Sequence, residues 1–169
     1  GAIFTFFVSM AILLVGGYFA VDHAPPIPEK IVIPGPGDLT TSAAIKTGQD
    51  VYQKYGLMDH GSVWGHGALR GMDFAAHTLH RMGQDMRDFA ATAGQPQAGA
   101  YEKLSAEKRR ELDAAVIGEI KTNRYDEKSK ALTLTPAQAY AFEQNRKYWE
   151  KEFAEGDAHY GFLKNTVPT

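Results

Sequence analysis

Gly56 to His80 reads GLMDHGSVWGHGALRGMDFAAHTLH, a 25-residue stretch with five glycines, four histidines, Trp64, Phe74 and a single arginine, Arg70. Glycine at that density marks backbone in left-handed or crowded conformations, so the segment is a loop whose shape is dictated by its sequence. Such loops carry function when rigid elements hold them. Helical signals flank it. Upstream, Ser42 can cap a helix with Ile45, Gly48, Tyr52 and Tyr55 on one face and Gly56 placed to end it. Downstream, Asp73 can cap another in which Ala75, Leu79, Met82, Met86 and Phe89 recur at a 3/4 spacing, with a stop at Gly94 to Pro96. On that helix His77 and His80 are expected to point away from the Leu79/Met82/Met86 stripe.

Two more helices follow. Ser105 opens a charged one whose apolar stripe is only Leu112, Val116 and Ile120, so it should lie at the surface with one thin buried edge. Thr135-Pro136-Ala137-Gln138 is a capping box with proline at the first helical position, ahead of Ala139, Phe142, Arg146, Trp149 and Phe153 on one face and a stop at Gly156. Gly94 to Gly99 and Tyr125 to Lys130 read as surface loops. Trp64, Trp149, Phe142 and Phe153 are expected to form one buried core joining the glycine loop to the last helix.

The N-terminal end has another character. Ala2 to Val21 contains no charged side chain, and eleven of its twenty residues are Ile, Leu, Val or Phe. At ~1.5 Å per residue this helix would be ~30 Å long, the hydrocarbon thickness of a bilayer. A secretory signal peptide should have a shorter apolar core and a small-x-small cleavage site. A membrane span over 1–21 is therefore expected, with further residues upstream of Gly1. Gly16 and Ala20 are spaced to let another helix approach closely. Ala24-Pro25-Pro26-Ile27-Pro28 cannot be helical and begins an extended, proline-rich strap over 22–41, with a short strand at Ile31 to Ile33 and a turn at Pro34-Gly35-Pro36-Gly37. The hydrophilic domain then spans 42–169.

Composition narrows the chemistry. A net charge of -2 excludes the basic footprint of a nucleic-acid binder. The absence of cysteine excludes disulfides, thiolate zinc sites, iron-sulfur clusters and thioether attachment of haem, which also removes any support for Met58 or Met72 as haem ligands. His60, His66, His77 and His80, with Asp59 or Asp73, can be read as a zinc or copper site, or as hydrogen-bonding histidines that pin the loop. The spacing lacks the tight pairs of known zinc modules. Ser62 with His60 and Asp59 lacks a nucleophile elbow and an oxyanion hole, which argues against acyl transfer.

The run from Gly48 and Tyr52 through Tyr55-Gly56-Leu57-Met58-Asp59-His60-Gly61-Ser62, Trp64-Gly65-His66-Gly67 and Arg70-Gly71 to Asp73-Phe74 closely resembles the N-terminal region of quinol-dependent nitric oxide reductases. The apolar span, the Ala24 to Glu29 strap and the Leu134 to Ala139 helix start match as well, so the resemblance covers essentially the whole chain. It implies a mainly α architecture: one transmembrane helix followed by a cytochrome c-like helical domain lacking haem c. In that family the hydrophilic domain continues into a catalytic multi-helix bundle of the same polypeptide. A cytochrome c would carry Cys-x-x-Cys-His after its Gly-x-x-x-Tyr helix, and here Gly56-Leu57-Met58-Asp59-His60 stands in that place. Trp64, Tyr52, Tyr55, Phe74 and the methionines are then expected to fill the vacated haem pocket.

The resemblance further implies reduction of two NO by two electrons and two protons to N2O and water, with membrane quinol as donor. Haem b, a second, high-spin haem and a non-haem iron would reside in the bundle, so no catalytic residue is expected in this chain. The domain would lie in the periplasm, anchored by membrane lipid at the bacterial inner membrane, with a supporting role. In cytochrome-type relatives a Gly-x-Gly-Ala-Tyr loop offers a backbone carbonyl and a tyrosine to a calcium ion bracing the haem propionates. Gly65-His66-Gly67-Ala68-Leu69 corresponds here, so Gly67 retains the backbone contact and Leu69 lacks the tyrosine ligand. Arg70 follows, and its guanidinium can replace the cation toward a propionate. Two other classes fit the residues: a membrane-tethered, cofactor-free interaction module, and a small carrier binding copper through the histidines.

Overall fold

The computed structural model describes residues 1–35 and 37–168; the turn expected at Pro34 to Gly37 includes Pro36, and the expected hydrophilic domain ends at Thr169, both outside those residues. Helix α1 (Ala2–Asp22) is the apolar run, long and apolar enough to cross a bilayer, and contributes no buried residue to the rest of the chain. Strands β1 (Lys30–Val32) and β2 (Asp38–Thr41) follow the prolines and pair antiparallel.

Helix α2 (Ser42–Lys54) is capped one residue earlier than expected, because the Thr41 hydroxyl, rather than that of Ser42, accepts from the Ala44 amide at 3.3 Å. It ends where expected, with Gly56 in the left-handed region at φ 62°. The glycine loop forms a small sheet of β3 (Gly61–Val63), β4 (His66–Gly67) and β5 (Met72–Asp73), described below. Helix α3 (Phe74–Ala91) is capped by Asp73, and α4 (Ala106–Lys121) by Ser105. The segment expected to be a loop at Tyr125 to Lys130 instead opens with β6 (Tyr125–Asp126), hairpinned to β7 (Ala131–Thr133). Strand β7 pairs parallel to β1, giving a sheet of order β2-β1-β7-β6 that ties the strap to the start of the last helix. Helix α5 (Pro136–Glu155) carries the full capping box, with the Gln138 amide donating to Thr135 Oγ1 and the Thr135 amide to Gln138 Oε1.

The core lies where α3, α4 and α5 meet. Met86, Val116, Ala137 and Ala141 are buried together, with Met82, Phe89 and Ile120 packed around them. The inward face of α3 is rotated from the expected stripe: Leu79 is 48% exposed, while His77 is half-buried against α5. Two overlapping 3/4 stripes exist on this helix, and contact with α5 selects the one through Phe74, His77, Thr78, Met82 and Met86. On α5 the buried positions are Ala137, Gln138, Ala141 and Asn145, and Arg146 lies outside them, exposed and paired with Glu143 at 2.7 Å and Glu150 at 2.9 Å.

Truncating Met86, which is fully buried, should therefore cost ~2 to 5 kcal/mol, whereas Leu79→Ala should stay within ~0.5 kcal/mol of the parent. Denaturant unfolding of the two variants of the full chain checks the assignment of the α3 face.

Candidate functional site

Between α2 and α3 the chain builds a compact loop from a short 3-10 turn, Leu57–Asp59, and the three strands. β3 pairs antiparallel with β4 and parallel with β5, in register Ser62↔Gly67 and Ser62↔Asp73. The β3–β4 turn places Trp64 at φ 54° and Gly65 at φ 78°. Two successive positive φ values are what a tight type I′ hairpin requires, and a tryptophan in the first of them is strained.

Three glycines permit the packing. A Cβ on Gly61 would fall on the Met72 carbonyl oxygen, one on Gly71 on the His60 carbonyl oxygen, and one on Gly67 on the Gly61 carbonyl oxygen. Backbone here packs on backbone with no room for a side chain. The Ala68 amide closes the loop onto the Met58 carbonyl at 2.7 Å.

One carboxylate holds the arrangement. Asp73 Oδ1 accepts from the Ala76 amide at 2.8 Å and caps α3, while Oδ2 accepts from Ser62 Oγ at 2.6 Å and from the Gly65 amide at 2.9 Å. The Ser62 hydroxyl, then the amides of Ala76 and Gly65, hold the Asp73 carboxyl at about 2, well below its ordinary value. The sequence offers Asp73 as a helix cap and as one candidate metal ligand; its second oxygen instead serves strands distant from that cap, which spacing does not reveal. Tyr52 reaches in from α2, its hydroxyl 3.4 Å from the Gly61 and His66 carbonyls. Burial, then the charges of Asp73 and Asp59, push its phenol above its ordinary value, so it remains a neutral donor.

The loop presents a distinctive surface. Trp64 is 77% and Leu69 87% exposed, so Trp64 does not join the expected aromatic core. Its strained turn directs the indole outward. The core is closed instead by Phe162, a residue that sequence reasoning missed: it stacks on Phe74 at 6.0 Å and meets Phe153 at 5.3 Å. Phe74 also meets Trp149 at 5.4 Å and Tyr52 at 6.1 Å, and Trp149 stacks on Phe153 and donates its N–H to Thr78 Oγ1 at 2.9 Å. Phe142 is half-buried on α5. Gly156 and Gly161, both at positive φ, bracket the turn that brings Phe162 back; this was the available signal.

The histidines go to separate places. His60 packs on Phe162, His66 Nδ1 sits 3.2 Å from the Trp64 carbonyl, and His80 is exposed. His77 lies among Tyr148, Trp149 and Tyr160, where burial, then the Arg81 and His80 charges, lower its pKa. Among the described residues no three His, Cys, Asp or Glu side chains converge as metal ligands. Ser62 bonds Asp73 rather than His60. Gly67 and Arg70 are both exposed on the loop, and Arg70 makes no ion pair among the described residues.

A helix ending in Gly56, a shaped loop and a helical core closed by aromatic contacts on the C-terminal helix follow an N-terminal helix long and apolar enough to cross a bilayer, a mainly helical architecture. Residues 28–169 match the family of cytochrome c-like domains of the nitric oxide reductase protein NorB, and the chain belongs to that family. No curated protein gives a significant match. The residues do not fit a covalently held haem: where a cytochrome c has its attachment motif stand Leu57, Met58, Asp59 and His60, with no cysteine, and the His60 ring is packed on Phe162.

The Asp73 hub has a pH signature. Because its folded pKa is depressed from 3.8 to about 2, its contribution to stability is present above pH ~4 and is lost as pH falls through that interval. Asp73→Asn should flatten this part of the acid-unfolding curve of the full chain while lowering stability at pH 7.

Proposed function

We propose that the chain is the N-terminal portion of a membrane-bound, quinol-dependent nitric oxide reductase, in which its haem-less cytochrome c-like domain supports a catalytic bundle of the same polypeptide. The observation that carries this reading is the family match over residues 28–169 joined to the absence of cysteine at the motif position. The proposed division is a transmembrane helix over 1–21, a strap over 22–41 and the hydrophilic domain over 42–169, facing the periplasm of the bacterial inner membrane.

In the whole enzyme the reaction is 2 NO + 2 electrons + 2 protons giving N2O and water. Haem b, the high-spin haem and the non-haem iron would supply the redox chemistry from the bundle. This chain's contribution is positional. The glycine loop, rigid through Asp73 and its backbone packing, would seat on the bundle, with the exposed Trp64 and Leu69 as apolar anchors. Arg70 would then direct its planar, permanently charged fork at a haem propionate, and the Gly67 backbone would meet the propionate region or a calcium ion there.

A fixed positive charge beside a haem disfavours the extra positive charge of the oxidised iron, and so raises the reduction potential. Arg70→Ala in the whole reductase should therefore lower the reduction potential of the adjacent haem and slow NO consumption, and Arg70→Lys should restore the potential more than the rate. Unchanged potentials and full NO consumption in Arg70→Ala would show that Arg70 serves no haem.

A further inference from the structure

Where the C-terminal end of α4 meets β7 and the first turn of α5, the chain encloses a pocket of about 430 Å³. That volume falls in the range of small-molecule sites. Met82, Ile120, Leu132 and Leu134 form its apolar walls. Its polar lining is rich in donors. Lys121 and Arg124 bring two positive charges, neither in an ion pair among the described residues. No carboxylate among the described residues lines the pocket; that of Glu119, next in sequence, is engaged by the Thr135 hydroxyl and lies outside the lining.

Gln138 is the more telling residue. It is only 6% exposed, and the Thr135 amide donates to its Oε1 at 3.0 Å as part of the capping box. That bond fixes which end of the side-chain amide is the nitrogen, and Nε2 has no partner among the described residues. A buried donor without an acceptor is costly, and Gln138 lines the pocket, so an acceptor seated there would satisfy it. Arg124 spends Nη1 on the last turn of α4, donating to the Glu119 carbonyl at 2.7 Å and the Thr122 carbonyl at 3.3 Å. This screens the negative end of that helix from the pocket and leaves Nε and Nη2 to meet an acceptor. Asn123 Oδ1 accepts from the Tyr125 amide at 3.0 Å, which leaves its Nδ2 as a further donor. An uncharged apolar ligand would leave the two cations unanswered, and a bare inorganic anion would leave the apolar walls uncovered. A monoanion with an apolar body answers both.

We infer that this pocket binds a small carboxylate with an aliphatic body, its head at Gln138 Nε2, Lys121 and Arg124 and its chain along the apolar walls. The inference stands independently of the reductase reading. Its test titrates the full 169-residue chain in lipid nanodiscs with hexanoate and follows the 13C-methyl signal of Met82, with the fully buried Met86 as reference. Saturable displacement of the Met82 signal is expected, with Met86 unmoved. Hexanamide has the chain without the charge, acetate the charge without the chain; each should bind at least ~10-fold more weakly. Gln138→Glu keeps the capping box, which takes Glu or Gln, and sets a carboxylate where the donor stood. It should weaken hexanoate at least ~10-fold, and Lys121→Gln, on an exposed side chain, should weaken it several-fold.

Equal binding of hexanoate and hexanamide would reduce the site to an apolar cleft, and equal binding of acetate would reduce it to charge attraction alone; either overturns the inference. Both comparisons use the unaltered chain, so they decide the matter even if Gln138→Glu lowers stability. Full affinity in both Gln138→Glu and Lys121→Gln, or no saturable displacement at Met82, would also overturn it.

Discussion

The carboxylate of Asp73 is the point on which the glycine loop and the helix behind it both depend. One oxygen starts α3 at Ala76; the other takes the Ser62 hydroxyl and the Gly65 amide, joining the helix to the strand and the hairpin turn. Charge-assisted bonds to an ionised acceptor are roughly twice as strong as neutral ones. Three such bonds on one side chain fix the relative position of segments that have little hydrophobic burial of their own. Around that anchor, Gly61, Gly67 and Gly71 let backbone pack on backbone. The loop is small and mostly exposed, yet it has a single shape.

That shape explains why the loop's apolar residues face outward. With the interior filled by main chain, the side chains of Trp64 and Leu69 have no inward space, and the positive φ at Trp64 directs the indole away from Phe74. The aromatic interior is completed from the far end of the chain, by Phe162 on a turn bounded by Gly156 and Gly161. The loop is thereby supported from beneath by Phe74 and His60, both in contact with Phe162, and left free above. A rigid support carrying exposed apolar and cationic groups suits a positioning role, and no convergent set of metal ligands appears among the described residues.

What could be read from the sequence was local. The caps at Asp73, Ser105 and Thr135 depend on a side chain and an amide two or three residues on, and each forms. The stop at Gly56 is equally local. Thr41 displaced Ser42 as a cap because adjacent hydroxyls offer the same chemistry. Reading failed where the deciding partner is distant in sequence. Which stripe of α3 faces inward depends on α5; the pairing of β6 and β7 is supported by β1, about a hundred residues upstream and invisible to local propensity. Trp64, expected in the aromatic core that joins the loop to α5, stands instead at a positive φ in a type I′ turn and faces outward. Of the candidate site, the loop and its glycines were legible, and the second role of Asp73 was not.

The central claim is that the Gly61 to Asp73 loop is a preorganised surface rather than a mobile connection. Backbone 15N relaxation of the full chain measures this directly. Order parameters for Ser62, Gly65, Gly67 and Gly71 near the ~0.85 of rigid backbone, matching those of α3, are the predicted result. Values below ~0.6 through the loop, with α3 still rigid, would contradict it.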